Sequence, residues 1–328
     1  MFKFKKIVFF LILVGFLFKP SIAEATDGEV LGIHILSPHE IEKAKDLVSL
    51  ADRDKWNYVT IPLSLDDLNK EAEWLEFFTK AKKYHVIPII RLATRVESGV
   101  WQIPNRKEIT SYFDFLNRFE WPTDKRFIIV FNEVNHSKEW GGTLSPLTYL
   151  EVLKFTSNWA RSEDKNYIIL PAAMDLAAPN SKFTLEAFNY LNQLYNLDNE
   201  IFDYVDYWNS HSYPNPGFSS SPQRNTQNSL RGFLYELDFL KAKTGKDYRV
   251  FITETGWEVN RATSRYLEPY YLYAMQHIWS NPQVEGVTPF LLKGSPGPFS
   301  SFSFLTADDQ PTLQYNALQE AIKKAYTQ

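Results

Sequence analysis

The chain has 328 residues, of which 44% are hydrophobic, 16% aromatic and 23% charged, with no cysteine and a formal net charge of −4. This is the composition of a globular chain with a large, ring-rich core, and the missing thiols exclude disulfides and a lipid-bearing cysteine. The acidic balance argues against nucleic acid or an anionic membrane surface as the main partner.

Lys3, Lys5 and Lys6 precede an apolar run over 7–18, and Ser21-Ile22-Ala23 and Ala23-Glu24-Ala25 follow it. Residues 1–25 therefore read as a signal peptide. The run is shorter than the roughly 20 residues that span a bilayer, so cleavage near Ala23 or Ala25 is expected. An uncleaved N-terminal anchor is the alternative, and the one route by which this chain would hold to a membrane. Loss of Lys3, Lys5, Lys6 and Lys19 would take the charge from −4 to −8, which suits a neutral substrate. A secreted, cell-surface or periplasmic protein is expected.

From residue 26 to 328, apolar strand-like runs alternate with amphipathic stretches. Strands are expected over 30–36, 58–62, 86–92, 127–131, 167–172, 205–210, 249–253 and 284–292. Helices are expected over 109–119, 149–160, 185–194, 266–278 and 313–325. In a further helix Leu230, Phe233, Leu234, Leu237 and Leu240 recur on one face. Buried strands alternating with crossover helices imply a parallel sheet, and eight pairs in about 300 residues imply a closed one. The fold class is therefore α/β, a single-domain (β/α)8 TIM barrel. An open doubly wound sheet would carry a glycine-rich phosphate turn after its first strand, where this chain reads "GIHILSPHE".

Active sites of such barrels form at the C-terminal ends of the strands. Two strands end in carboxylates: "RFIIVFNEVNH" at 126–136 ends the fourth with Glu133, and "YRVFITETGWE" at 248–258 ends the seventh with Glu254. A charge is costly in a core but tolerable in a partly solvated cleft that supplies hydrogen bonds. Two carboxylates on separate strands are what cleavage of a glycosidic bond requires, one protonated and one ionised.

The motifs "FNEVNH" and "ITETGW", with the strand order of nearly the whole mature chain, resemble the clan A glycoside hydrolases, retaining enzymes on a (β/α)8 barrel. The second is similar to the nucleophile motif of the endo-β-1,3-glucanase family of that clan. The resemblance implies Glu133 as general acid/base, Glu254 as nucleophile and Asn132 as donor to the sugar 2-hydroxyl. His211 and Tyr213, in "NSHSYPNPG", match the place where members keep a His or Tyr that touches nucleophile or substrate, and Arg91 matches a basic residue near the nucleophile. The chain departs from the pattern at Val134, where proline is common. It departs again after the eighth strand, where "TPFLLKG" leaves Phe290 or Lys293 in place of a sugar-stacking Trp.

Trp101, Trp140 and Trp257 fall in loops after strands three, four and seven, and rings there suit the apolar faces of sugars. Trp257 and Trp140 are the two assigned to substrate. No H-E-x-x-H and no G-x-S-x-G occurs, so neither metal nor serine chemistry is expected, and no cofactor. The expected activity is a β-glycanase, endo-acting on a poly- or oligosaccharide, in a monomer. A transglycosylase on the same scaffold and a non-catalytic barrel binding glycan or a protein partner remain the alternatives.

Overall fold

The computed structural model describes residues 28–49 and 55–326, so the leader assigned to 1–25 lies outside the described residues. In chain order β1 (Gly28–His34) precedes α1 (Ile41–Val48), β2 (Trp56–Ser64) precedes α2 (Glu71–Lys83), and β3 (Val86–Ala93) precedes α3 (Arg106–Leu116). Then come β4 (Arg126–Val130), α4 (Pro146–Ser162), β5 (Tyr167–Pro171), α5 (Ala187–Leu197), β6 (Trp208–His211) and α6 (Gly232–Thr244). The chain closes with β7 (Val250–Glu254), α7 (Leu267–His277), β8 (Val284–Val287) and α8 (Leu313–Tyr326). A two-stranded hairpin, Val96–Glu97 with Val100–Trp101, rises from the loop after β3.

Local chemistry sets several boundaries. A capping box joins Asn105 and Glu108 at the start of α3, with bonds of 2.9 and 3.0 Å that satisfy two otherwise orphaned N–H groups. Ser145 caps α4, whose first residue is Pro146. Gly245, at φ +74°, ends α6 in the left-handed conformation that glycine adopts without strain.

The eight strands pair in parallel in the order β5-β4-β3-β2-β1-β8-β7-β6. Between β5 and β6 the ladder gives way to a mixed seam. Asp206 N–H donates to Ile169 O at 2.8 Å, its carboxylate accepts from Ile169 N–H at 2.7 Å, and Asn209 Nδ2 donates to Pro171 O at 3.0 Å. The barrel is closed by these bonds, together with a parallel bridge between Asp175 and His211.

Alternate strand residues fill the interior in layers, as the two-residue period of a strand requires. At the base Tyr58, Ile89, Phe127, Ile129, Leu170 and Phe251 form a dry cluster, with Phe127 and Phe251 edge to face at 5.0 Å. Gly286 leaves room for those rings: a Cβ there would lie 2.7 Å from the Tyr58 ring and 2.9 Å from that of Phe251. Above them lies a buried polar layer. Thr60 and Thr288 hydroxyls bond at 2.8 Å, Thr288 donates to Thr253 O at 2.8 Å, and Thr253 donates to Asn209 Oδ1 at 2.6 Å. Every hydroxyl in that layer has a partner, so its burial costs little. The larger core lies outside the strands, where Val59, Ile61, Val86, Ile90, Ile128 and Val130 meet the helices.

The observed strands differ from expectation at their ends. The sixth begins at Trp208 rather than 205, because 201–204 form a helical turn and Asp206 is drawn into the seam. The eighth stops at Val287, because Pro289 has no N–H and the ladder becomes irregular there, although Thr288 N–H still bonds Ile252 O at 2.9 Å and Pro289 O still accepts from His34 N–H at 3.0 Å.

Candidate active site

The site sits on the polar layer, at the C-terminal ends of the strands. The chain breaks sharply after Val130: Phe131 has φ 70° and Glu133 φ 32°, a left-handed region that costs non-glycine residues roughly 1–3 kcal/mol each. The fold sustains that strain through Asn135, which is wholly buried. It donates to Asp175 O and Leu185 O, both at 3.0 Å, and accepts from Asp175 N–H at 3.1 Å. Glu133 is thereby turned into the cleft.

Across the barrel β7 ends in Glu254, 8% exposed. Arg91 Nη1 donates to Glu254 Oε1 at 2.5 Å, and Tyr213 O–H donates to Oε2 at 3.1 Å. His211 stands between the two carboxylates, its Nδ1 2.9 Å from Glu133 Oε1 and 3.7 Å from Glu254 Oε2. A carboxylate oxygen of Glu133 and one of Glu254 lie within 4.8 Å of each other. Arg91 Nη1 also donates to Asn132 Oδ1 at 2.9 Å, and Asn132 Nδ2 donates to Glu139 at 3.2 Å. That pair of bonds fixes the orientation of the amide.

The electrostatics divide the two carboxylates. Burial pushes the Glu254 carboxyl up, but His211, Arg91 and the Tyr213 hydroxyl outweigh it and hold it down to about 2. Burial pulls the His211 imidazole down, and the charges of Glu254 and Glu133 return it above its ordinary value. His34, buried at the end of β1, is pushed down to about 3 by burial and then by Arg91. It stays a neutral ring, 3.2 Å from Thr253 O and 3.9 Å from Glu254. Burial, then the two carboxylates, raise the Tyr213 phenol well above its usual range, so it remains a donor.

Glu133, Asn132, Glu254, Tyr213 and Arg91 line one cleft of about 700 Å³, with His211 behind them. Trp101 also lines it, as do Phe290 on the β8 side and Phe218, Phe299 and Phe302. Lys293 turns to Asp309 at 2.7 Å instead. Of the tryptophan assignments, that of Trp257 needs correction. Trp257 is fully buried among Tyr270 and Tyr271, and its indole N–H is spent on Ser220 O at 2.8 Å, so it offers no face to a sugar. Trp140 is 1% exposed and packs on Phe131 and Tyr149, and it is among the residues that line the cleft.

Sequence reasoning missed Glu139 and Asp175, both in the cleft wall. Burial, then the charge of Glu133, raises the Glu139 carboxyl. Asp175 is paired with His136 at 2.8 Å. It also missed Glu236 on α6, which is buried behind β6 and accepts from Trp208 Nε1 at 3.1 Å and Ser210 Oγ at 2.5 Å. Burial pushes that carboxyl up to about 7. A raised carboxyl stabilises the fold fully below its unfolded value near 4.5, and the contribution is lost as pH rises through about 7. The shift corresponds to roughly 3 kcal/mol. Glu236→Gln is therefore expected to lose less stability than the parent between pH 5 and 8, and parallel denaturation midpoints across that range would sink the idea.

Among the described residues, Glu133, His211 and Glu254 are the group whose ligand atoms come close enough to hold an ion. Arg91 already supplies positive charge there at 2.5 Å from Glu254. The arrangement thus presents one carboxylate held ionised, a second at the cleft surface, and a bridging imidazole.

No family model and no curated protein matches the sequence. Solved structures do match in fold. A monomeric β-xylosidase from Caulobacter crescentus CB15 superposes with a TM-score of 0.61 at 13% identity, over 89% of this chain and 68% of the other. A family 39 glycoside hydrolase from the gut symbiont Bacteroides cellulosilyticus WH2 gives 0.61 at 16%, over 93% and 65%. An endo-β-1,4-glucanase from Xanthomonas axonopodis pv. citri gives 0.56 at 14%, over 90% and 100%. The chain spans about two thirds of the first two and the whole of the third. It has the (β/α)8 fold of these glycoside hydrolases, as the resemblance to clan A implied.

Proposed function

We propose that this protein is a retaining glycoside hydrolase that cleaves β-linked glycans by double displacement. The observation that carries the reading is the approach of Glu133 and Glu254 to within 4.8 Å across one cleft. Retaining enzymes hold their carboxyl groups about 5–5.5 Å apart, whereas inverting ones leave roughly 6.5–9.5 Å for a water.

In the first step Glu254 Oε2 attacks the anomeric carbon while Glu133 gives its proton to the glycosidic oxygen, so the C–O bond breaks and the aglycone leaves as an alcohol. In the second, ionised Glu133 takes a proton from water, whose oxygen attacks the same carbon and releases Glu254. Arg91 and Tyr213 hold the nucleophile in line and ionised, and His211 orients both carboxylates. The open, ring-lined cleft supports endo action on a polymer, and the leader-like N-terminus supports export to where such polymers lie. The likeness of "ITETGW" to the endo-β-1,3-glucanases makes laminari-oligosaccharides the first substrates to try, with cello- and xylo-oligosaccharides beside them.

The stereochemistry tests the mechanism. Proton NMR of a digest in progress should show the β-anomer of the new reducing end first, with the α-anomer following only by mutarotation. First appearance of the α-anomer would show inversion and overturn the two-step scheme.

A further inference from the structure

We infer that the cleft takes neutral or amine-bearing glycans and rejects acidic ones, with Glu139 and Glu258 setting that choice. The inference rests on the glycosidase reading of the same cleft.

Five carboxylates line it: Glu133, Glu139, Asp175, Glu254 and Glu258. Three have a basic group against them, His211 at 2.9 Å from Glu133, His136 at 2.8 Å from Asp175, and Arg91 at 2.5 Å from Glu254. Glu139 and Glu258 have no ion-pair partner among the described residues; Glu139 meets only the neutral amide of Asn132. They stand on the loops after β4 and β7, so each reacting carboxylate has a second one without an ion-pair partner a few residues beyond it in the chain. Burial and Glu133 raise the Glu139 carboxyl, and the Asn132 amide and the charge of Arg91 pull it back toward the ionised form.

Recognition of a uronate, sulfate or phosphate calls for a free guanidinium or ammonium aimed at the anion. Arg91 is the one such group lining the cleft among the described residues, and Glu254 and Asn132 already share its Nη1. Two basic side chains of the rim loops are turned to other partners. Lys293 bonds Asp309 at 2.7 Å, and Arg95 faces Asp66 at 3.3 Å and Glu108 at 3.6 Å. An anionic sugar would thus meet an excess of like charge along the cleft wall, where such contacts weaken binding by a factor on the order of 100. An ammonium group would instead find two carboxylates without cations.

The test compares 4-nitrophenyl β-D-glucoside and β-D-galactoside with the matching glucuronide and galacturonide on the full chain. Wild type is expected to favour the neutral member of the better pair by about 100-fold or more in kcat/KM. In Glu258→Gln, Glu139→Gln and the double variant the ratio should fall stepwise, tenfold or more in the last, and the ratio is the readout because Glu139 also holds the Asn132 amide, so its loss lowers kcat/KM on both members alike. As a check that needs no variant, raising NaCl from 20 to about 500 mM should narrow the wild-type ratio by screening. A uronide turned over as fast as its neutral partner, or a ratio unmoved by both substitutions and salt, overturns the inference. If wild type hydrolyses none of the four, as an endo-acting enzyme that needs a longer chain would not, cleavage of laminari-, cello- and xylo-oligosaccharides judges the hydrolase reading, and calorimetric titration decides this one separately. Laminari-, cello- and chitosan oligomers should bind and β-1,4-linked glucuronan oligomers should not; equal binding of both kinds, or of neither, overturns it.

Discussion

Glu254→Gln is expected to lower kcat/KM on every glycoside by roughly 10⁴-fold or more, because the amide cannot form the glycosyl ester and no second path to the same carbon exists. The substitution also removes a buried charge that Arg91 holds at 2.5 Å and Tyr213 at 3.1 Å. The sign of the accompanying stability change follows from the carboxyl being held down to about 2. A depressed carboxyl stabilises the fold above its unfolded value near 4.5, and that contribution is lost as pH falls from there through about 2. At pH 7 the variant should therefore melt a few degrees lower than wild type, and it should lack the part of the acid-side loss that Glu254 supplies. The two readouts separate the roles. Turnover within tenfold of wild type, in a protein that melts as expected, would defeat Glu254 as nucleophile while leaving its ion pair intact.

The sequence made the scaffold legible where one physical signal dominates. Buried parallel strands have no solvent face, so 127–131 stands out as an unbroken apolar run and 86–92 as one interrupted by Arg91 alone, and an abrupt polar residue at the end of such a run marks the catalytic rim. That rule located Glu133 and Glu254, and the fold brings them together. Applied as strictly to the fifth strand it would have found Asp175, which closes "AAMDLAAP" on the same rim. Glu139 carries no such mark, since it enters the cleft on a helical turn whose path is set by Asn135 bonding to 175 and 185. Glu236 is hidden for another reason. It lies on the apolar side of an amphipathic helix, and only the positions of Trp208 and Ser210 show what its carboxyl does there.

The tryptophans teach the converse. Loop position predicted exposure for Trp140 and Trp257, yet a ring this large gains most by burial wherever its N–H can reach an acceptor, and Thr148 and Ser220 provide one for each. The cleft is walled instead by phenylalanines from the β6 and β8 loops, which pack on one another edge to face: Phe218 with Phe302 at 5.2 Å and Phe290 with Phe299 at 5.2 Å. Composition alone, with 25 Phe against 9 Trp, does not say which rings face solvent.

Glu133→Gln should behave unlike Glu254→Gln, and the contrast is the sharper test of the two roles. The amide still accepts from His211, so the loop that carries it should keep its strained conformation and the melt should change little. Its chemistry is lost twice, first as the acid that protonates the leaving oxygen and then as the base that activates water. For an oligosaccharide, whose leaving alcohol needs that proton, kcat/KM is expected to fall about 10²–10⁴-fold. A 2,4-dinitrophenyl glycoside needs no proton to leave, so its first step should survive within about tenfold while hydrolysis of the glycosyl ester on Glu254 becomes limiting. The ester then accumulates, kcat and KM fall together, and rapid mixing shows a burst approaching one dinitrophenolate per enzyme. Equal loss on both substrates, with no burst, would remove Glu133 as the acid/base and leave it as a ligand of His211.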